Sequence, residues 1–331
     1  MKPTVKIALM LSVVVAAVVW INQQRGRDSG QNVTNLDPTA PQILGLRPAP
    51  TQAHPETLSN SQFTLGSNSA SVPQTVRSIL PGNGESFSAR LTHVHNLGPH
   101  LSRSEIQALY SFLKTQYGPD LKSRGGEHVL KNDVLDALLN QVSLPRDLAD
   151  MLIGLYQDHD QDAVTRDYAL QHLVSCYERL INDPTMTRRG IESTLWQAIS
   201  ETDMSIGGTA LLGLHRLSGL TAEIDAKELD KAALQLAKDD RASHLVRTTA
   251  LQVCAERGIS EIRQILLELA QSGTDVPLQI SAIAALGRLG TQQEVALLEQ
   301  LLLGETERLK PAARTALKRL RQRLQVIEPA I

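Results

Sequence analysis

From Leu101 to Gln325, apolar residues return every three or four positions in one segment after another, and no other feature of the chain restricts its fold as much. This spacing lays one apolar stripe along an α-helix. Ser102 and Glu105 form a capping-box pattern ahead of IQALYSFL. Pro145 stands where a first helical turn tolerates proline, ahead of DLADMLIGLY. The spacing predicts further helices at Asp162–Leu180, Thr187–Ser200, Met204–Leu217, Ala226–Lys238, Ala242–Arg257, Ser260–Gln271, Val276–Leu289, Gln292–Leu303 and Leu309–Gln325. The breaks between them carry Gly, Asp, Asn or Pro, as at Asn182-Asp183-Pro184 and Gly273. No stretch alternates with a period of two, so no sheet is expected.

Every second helix carries an Ala-Leu step: Ala137-Leu138, Ala169-Leu170, Ala210-Leu211, Ala250-Leu251, Ala285-Leu286 and Ala316-Leu317. The intervals are 32, 41, 40, 35 and 31 residues. Four residues past the Ala stand Leu173, Leu214, Cys254, Leu289 and Leu320, with Gln141 as the exception. A small residue lets neighbouring helices approach, and the larger one a turn later fills the groove. One hairpin cannot bury both its faces, so copies must stack and share a core. The expected fold is all-α, an α-solenoid of about six stacked antiparallel helix pairs.

The segments DQDAVTRDYALQHLVSCYERL (160–180), RASHLVRTTALQVCAERG and VPLQISAIAALGRLG resemble HEAT repeats. The resemblance covers roughly 101–325 and implies a HEAT-like solenoid. In that family an Asp before the second helix and a basic residue six positions later often bridge successive repeats. Asp160 and Arg166 fit. Asp240 and Arg247 are one residue too far apart, and Asp275 meets Ser281. The resemblance therefore implies a broken ladder. The layout of helix, tether and solenoid is also similar to that of bacterial membrane-anchored HEAT-repeat proteins.

Ahead of the repeats, Ile7–Ile21 reads IALMLSVVVAAVVWI, with Lys2 and Lys6 before it and Arg25 and Arg27 after it. At about 1.5 Å per residue this run is short for a bilayer, but it reaches nineteen residues from Pro3 if Lys6 snorkels to the headgroups. Trp20 then marks the far interface. A cleaved signal peptide is the alternative, with Val15 and Ala17 at the cleavage site. Against it, Val18, Val19, Trp20 and Ile21 follow where a cleavage region turns polar. From Asp28 to His100 only seven residues are charged in 73, and eight of the fifteen prolines lie between Pro38 and Pro99. Such a composition cannot offset chain entropy by burial and reads as a flexible tether. The expected organisation is a cytoplasmic segment 1–6, an anchor or signal helix 7–21, a tether 22–100, the repeat domain 101–325 and a tail 326–331. The anchor implies a single-pass inner-membrane protein with its repeats in the periplasm, or a secreted or periplasmic one if the segment is cleaved.

Candidate chemistry is sparse. His93, His95 and His100 have a metal-like spacing, but no Cys or Asp stands near them in sequence. Asp158, Asp160 and Asp162 open like a calcium loop, yet Ala163 and Ala169 replace its Gly and Glu, so Asp162 reads better as a helix cap. Cys176 and Cys254 are 78 residues apart on apolar registers and read as two buried free thiols. His172 and His215 read as solvated or core-edge residues, since no Ser or Cys partner can be assigned. Arg308, Lys310, Arg314, Lys318, Arg319, Arg321 and Arg323 crowd the last helix. Residues 101–305 hold 19 basic and 29 acidic side chains, the wrong sign for a phosphate-tracking groove. After Trp196 there is no Phe, Tyr or Trp through 135 residues, which removes stacking platforms.

These features predict a membrane-anchored, extracytoplasmic scaffold that binds an unidentified protein, with no catalytic, cofactor or metal site and no nucleic-acid partner. Two alternatives stand beside it. One is a HEAT-like lyase or isomerase; the other is a nucleic-acid or anionic-lipid binder acting through the basic last helix.

Overall fold

The computed structural model describes residues 74–116, 126–182, 186–272 and 275–327. The predicted segment 1–6, the helix 7–21 and most of the tether lie outside these residues. Among the described residues no helix is long and apolar enough to cross a membrane.

The described residues are helical, without a strand. In chain order the helices are α1 (Gln74–Arg77), α2 (Phe87–His95), α3 (Arg103–Leu113), α4 (Glu127–Leu139), α5 (Leu148–Gln157), α6 (Ala163–Arg179) and α7 (Met186–Ala198). There follow α8 (Ile206–Ser218), α9 (Ala226–Lys238), α10 (His244–Arg257), α11 (Arg263–Ser272), α12 (Val276–Leu289), α13 (Gln293–Leu303) and α14 (Lys310–Ile327). A 3-10 turn at Ser260–Ile262 leads into α11. Even-numbered helices pack on one another in series from α2 to α14, and each packs on the odd-numbered helix before it. The result is a two-layer α-solenoid of stacked hairpins, with the core running along the seam between the layers.

Local chemistry sets the helix starts. Ser102 and Glu105 close the predicted capping box, and the Asp162 side chain accepts from the Thr165 amide at 2.9 Å, as expected. Pro145 instead lies in the turn before α5, which begins at Leu148. Gly258 ends α10 at φ +76°, a conformation that glycine adopts without strain. The last helix extends two residues past the expected end, to Ile327.

The tether is the main correction. Residues 74–100 contain α1 and α2, and Val76, Ile79, Leu80 and Val94 are buried in the common core. The low charge and the prolines concealed this. Ser86 caps α2, and buried Arg90 supplies much of its hold, donating from Nε to the Ile79 carbonyl at 2.7 Å and from Nη2 to Glu127 at 3.0 Å. A nine-residue helix held by long-range polar contacts leaves little periodic signal. The stack therefore begins a full hairpin before residue 101.

The Ala-Leu register also shifts. Ser86, Asp162, Ser243 and Asp275 each accept the amide three residues on. Counting from these caps, Ala169, Ala250 and Ala282 share one place, and Leu173, Cys254 and Leu286 another, all buried. Ala285-Leu286 thus lies one turn beyond the equivalent step. Ala137 is only half-buried; Val134, Leu135 and Leu138 fill the core there instead.

Candidate functional site

The even-numbered helices are joined by polar side chains at nearly every step. His95 on α2 meets Asp133 on α4 at 2.7 Å. His172 on α6 reaches Asn132 at 3.1 Å and Asp136 at 3.8 Å on α4. Arg216 on α8 donates to Glu178 on α6 at 2.6 Å. Glu256 on α10 takes His215 from α8 at 3.1 Å and Arg288 from α12 at 3.8 Å. Arg323 on α14 donates to the Gly290 carbonyl. These bonds join residues some forty positions apart, so no local motif announces them.

A second set of bonds runs through the helix starts. The residues four past the caps are Arg90, Arg166, Arg247 and Gln279. Arg166 does not pair with Asp160, as the family resemblance implied. Its Nε donates to the Tyr156 carbonyl at 2.7 Å, and its Nη2 donates to Glu201 at 2.8 and 2.9 Å. Its guanidinium also lies 5.2 Å from the Tyr156 ring, as Arg90 lies 5.7 Å from Phe112. Buried Lys131 fills the intervening step, donating to the Thr115 carbonyl at 2.7 Å and to Gln161 at 2.9 Å. Burial pulls its ammonium down to about 8, against the raising influence of Asp162, Glu127 and Asp158. Toward the other end this set lapses. Gln279 reaches back to the Ala270 carbonyl at 2.9 Å, and the Nε of Arg247 is buried without a partner.

An open cleft of about 390 Å³ lies between α2 and α4. Val94, His95, Leu97, Asp133, Asp136 and Asn140 line it. Of the three predicted histidines only His95 reaches it, and the fold brings the acid that the local sequence lacked, Asp133, from 38 residues away. Burial, and then Asp133, raise the Asp136 carboxyl. Among the described residues no group of three or more His, Cys, Asp or Glu side chains can hold a metal ion. Asp158, Asp160 and Asp162 lie in a turn, with Asp158 accepting from Gln161 and Asp162 spent on the α6 cap.

The other singled-out residues are structural. Cys176 and Cys254 are free and buried, as expected. Burial pushes their thiols up to about 11 and about 12, far from thiolate chemistry at neutral pH. His172 is buried, which takes its imidazole down to about 4, so it stands neutral on the α4–α6 seam. On α14, Arg314, Lys318 and Arg319 are exposed, while Arg321 pairs with Glu299 of α13.

Residues 230–318, from α9 to α14, match the family model for HEAT repeats. No curated protein matches the chain. The matched hairpins continue without a break into those before them, α8 packing on α10 as α10 packs on α12. By that match residues 230–318 of the chain are HEAT repeats, and by that stacking they are the last hairpins of the described α-solenoid.

Proposed function

We propose that this chain is a non-catalytic, protein-binding scaffold, held at the inner membrane by Ile7–Ile21 with its repeats on the periplasmic side. The observation that carries the scaffold reading is the use made of the polar groups. The buried ones serve the stack: Arg90, Lys131, Arg166, His172, Gln279 and Glu294 each bond across helices or to a neighbouring carbonyl. Catalysis needs a nucleophile or base held free for a substrate. A stack of hairpins instead presents an extended, preformed surface. The apolar run with flanking lysines and arginines supports the anchor.

Two measurements test this. Cross-linking the tagged full chain in intact membranes should enrich at least one protein over a control in which residues 1–73 carry an unrelated helical bundle. Equal recovery from both would refute the scaffold. Alkaline carbonate should leave the chain in the pellet, and external protease should reach the repeats once any outer barrier is opened. Release of the chain, or full protection, would refute the anchor or its orientation.

A further inference from the structure

Asn83-Gly84 is the one Asn-Gly pair in the chain. It lies in the turn between α1 and α2, and both residues are exposed. A backbone amide nitrogen can attack the carboxamide carbon of the asparagine before it, and glycine, with no side chain, hinders that attack least. Gly84 stands at φ +81°, and a Cβ placed on it would meet nothing within 4 Å, so the turn adds no crowding of its own. Asn96, Asn132, Asn140 and Asn182 instead precede Leu, Asp, Gln and Asp.

The same carboxamide closes the turn. Its Nδ2 donates to the Arg77 carbonyl at 3.2 Å and to the Ser78 carbonyl, at the end of α1, and its Oδ1 accepts the Glu85 amide at 2.8 Å. Next to this clamp, Ile79 and Leu80 are buried in the common core, and the Ile79 carbonyl takes Nε of Arg90 from α2. Asn83 thus ties the end of α1 to the approach to α2. The Glu85 amide already meets the oxygen on which charge develops during attack, which favours the step. The two Nδ2 bonds hold the leaving nitrogen. They lie at exposed and half-buried positions where water can replace them, so they slow the step without blocking it.

We propose that Asn83-Gly84 is a self-modifying site whose reaction unlocks the first hairpin. The Gly84 amide gives its proton to hydroxide, and its nitrogen bonds to Cγ of Asn83. The Cγ–Nδ2 bond breaks, and Nδ2 takes a proton from water and leaves as ammonia. Water then adds to one of the two carbonyls of the resulting five-membered imide, and the bond from that carbonyl to the Gly84 nitrogen breaks. Opening at Cγ gives aspartate; opening at the main-chain carbonyl gives isoaspartate. The sum is asparagine and water to acid and ammonia, with no oxidation. Aspartate turns the donor into a carboxylate facing two carbonyl oxygens. Isoaspartate inserts a methylene into the main chain and removes the side-chain amide. Either way the Arg77 and Ser78 carbonyls lose this donor, and the end of α1 loosens. The site is a slow, irreversible timer on the first hairpin, independent of what the scaffold holds.

The test incubates the folded full chain in heavy-oxygen water at mildly alkaline pH and reads its peptides by mass spectrometry. Asn83 should become an acid carrying one heavy oxygen about tenfold faster than Asn96 or Asn140, or faster still. In hydrogen exchange, the Ser78 amide, bonded to the Gln74 carbonyl, and the Leu80 amide, bonded to the Arg77 carbonyl, should open about tenfold faster in the aged chain than in the fresh one. Fresh Asn83→Asp should show the same loss of protection. Asn83→Ser, which lacks the reacting carbon, should not change further with age. Conversion of Asn83 no faster than of Asn96 or Asn140, equal exchange in aged and fresh chains, or the same ageing in Asn83→Ser would overturn the proposal.

Discussion

The hairpins before α8 and those after it solve the same packing problem with different chemistry. Among the described residues, the buried polar ones before α8 are Ser78, Arg90, Lys131, Gln141, Gln161, Thr165, Arg166, His172 and Thr194; after it they are Gln279 and Glu294. The aromatics divide in the same way. Tyr110, Tyr156 and Tyr177 sit before α8 and send their hydroxyls to Asp147, Glu201 and Glu223 of later elements. Beyond Trp196 the stack is aliphatic, and close approach adds to polar pairs such as Arg263 with Glu294 at 2.6 Å. A Cβ on Gly287 of α12 would meet the backbone of Ala316 on α14 at 2.7 Å. The first half thus buries more polar groups, around bulky rings; the second buries fewer and adds small residues that let backbones touch.

This contrast predicts unequal costs for equivalent substitutions. Arg166→Ala should cost about 3 kcal/mol or more in urea denaturation, because it strands Glu201 and the Tyr156 carbonyl. Arg247→Ala, at the same distance from its cap, should cost under about 1 kcal/mol, since its Nε has no partner to lose. Equal costs would erase the distinction between the halves.

Gly287→Ala tests the second half directly. In an open helix this change gains about 1 kcal/mol. Here the nearest atoms are α14 backbone, so a loss of about 1–3 kcal/mol is expected from the melting curve. A gain would mean that the helices are not in contact there.

Acid sharpens the comparison through His172. Its folded-state value, about 4, lies below the ordinary 6.5, so the unfolded chain binds the extra proton. Stability should therefore fall as pH drops from 6.5 toward 4, and His172→Gln should remove about 1–2 kcal/mol of that fall. An identical acid profile for the variant would contradict a buried, neutral imidazole. The smallest effect belongs to Lys131. Its value is lowered to about 8, so its ionised form opposes folding at neutral pH, and that opposition fades between pH 8 and 10.5. The native chain should gain on Lys131→Met over this alkaline window, by urea midpoint. A constant difference would show that the ammonium is not desolvated.

The same contrast explains what could be read beforehand. Val276–Leu289 was legible to the residue, because an aliphatic stack writes its packing into local spacing. Asp162 as a cap and both buried thiols were legible because each is set by its own helix. The α1–α2 hairpin was not, since its stability rests on Arg90 meeting Glu127, 37 residues on. Arg166 was misassigned to Asp160 because its true partner, Glu201, is 35 residues away.

Hydrogen exchange across the native full chain tests the central claim, that a single stack begins with the α1–α2 hairpin. The Arg90 amide, bonded to the Ser86 carbonyl, and the Asn96 amide, bonded to Thr92, should exchange as slowly as those of α4. Exchange of both at the rate of a free peptide, with α4 still protected, would contradict it and return residues 74–100 to the tether.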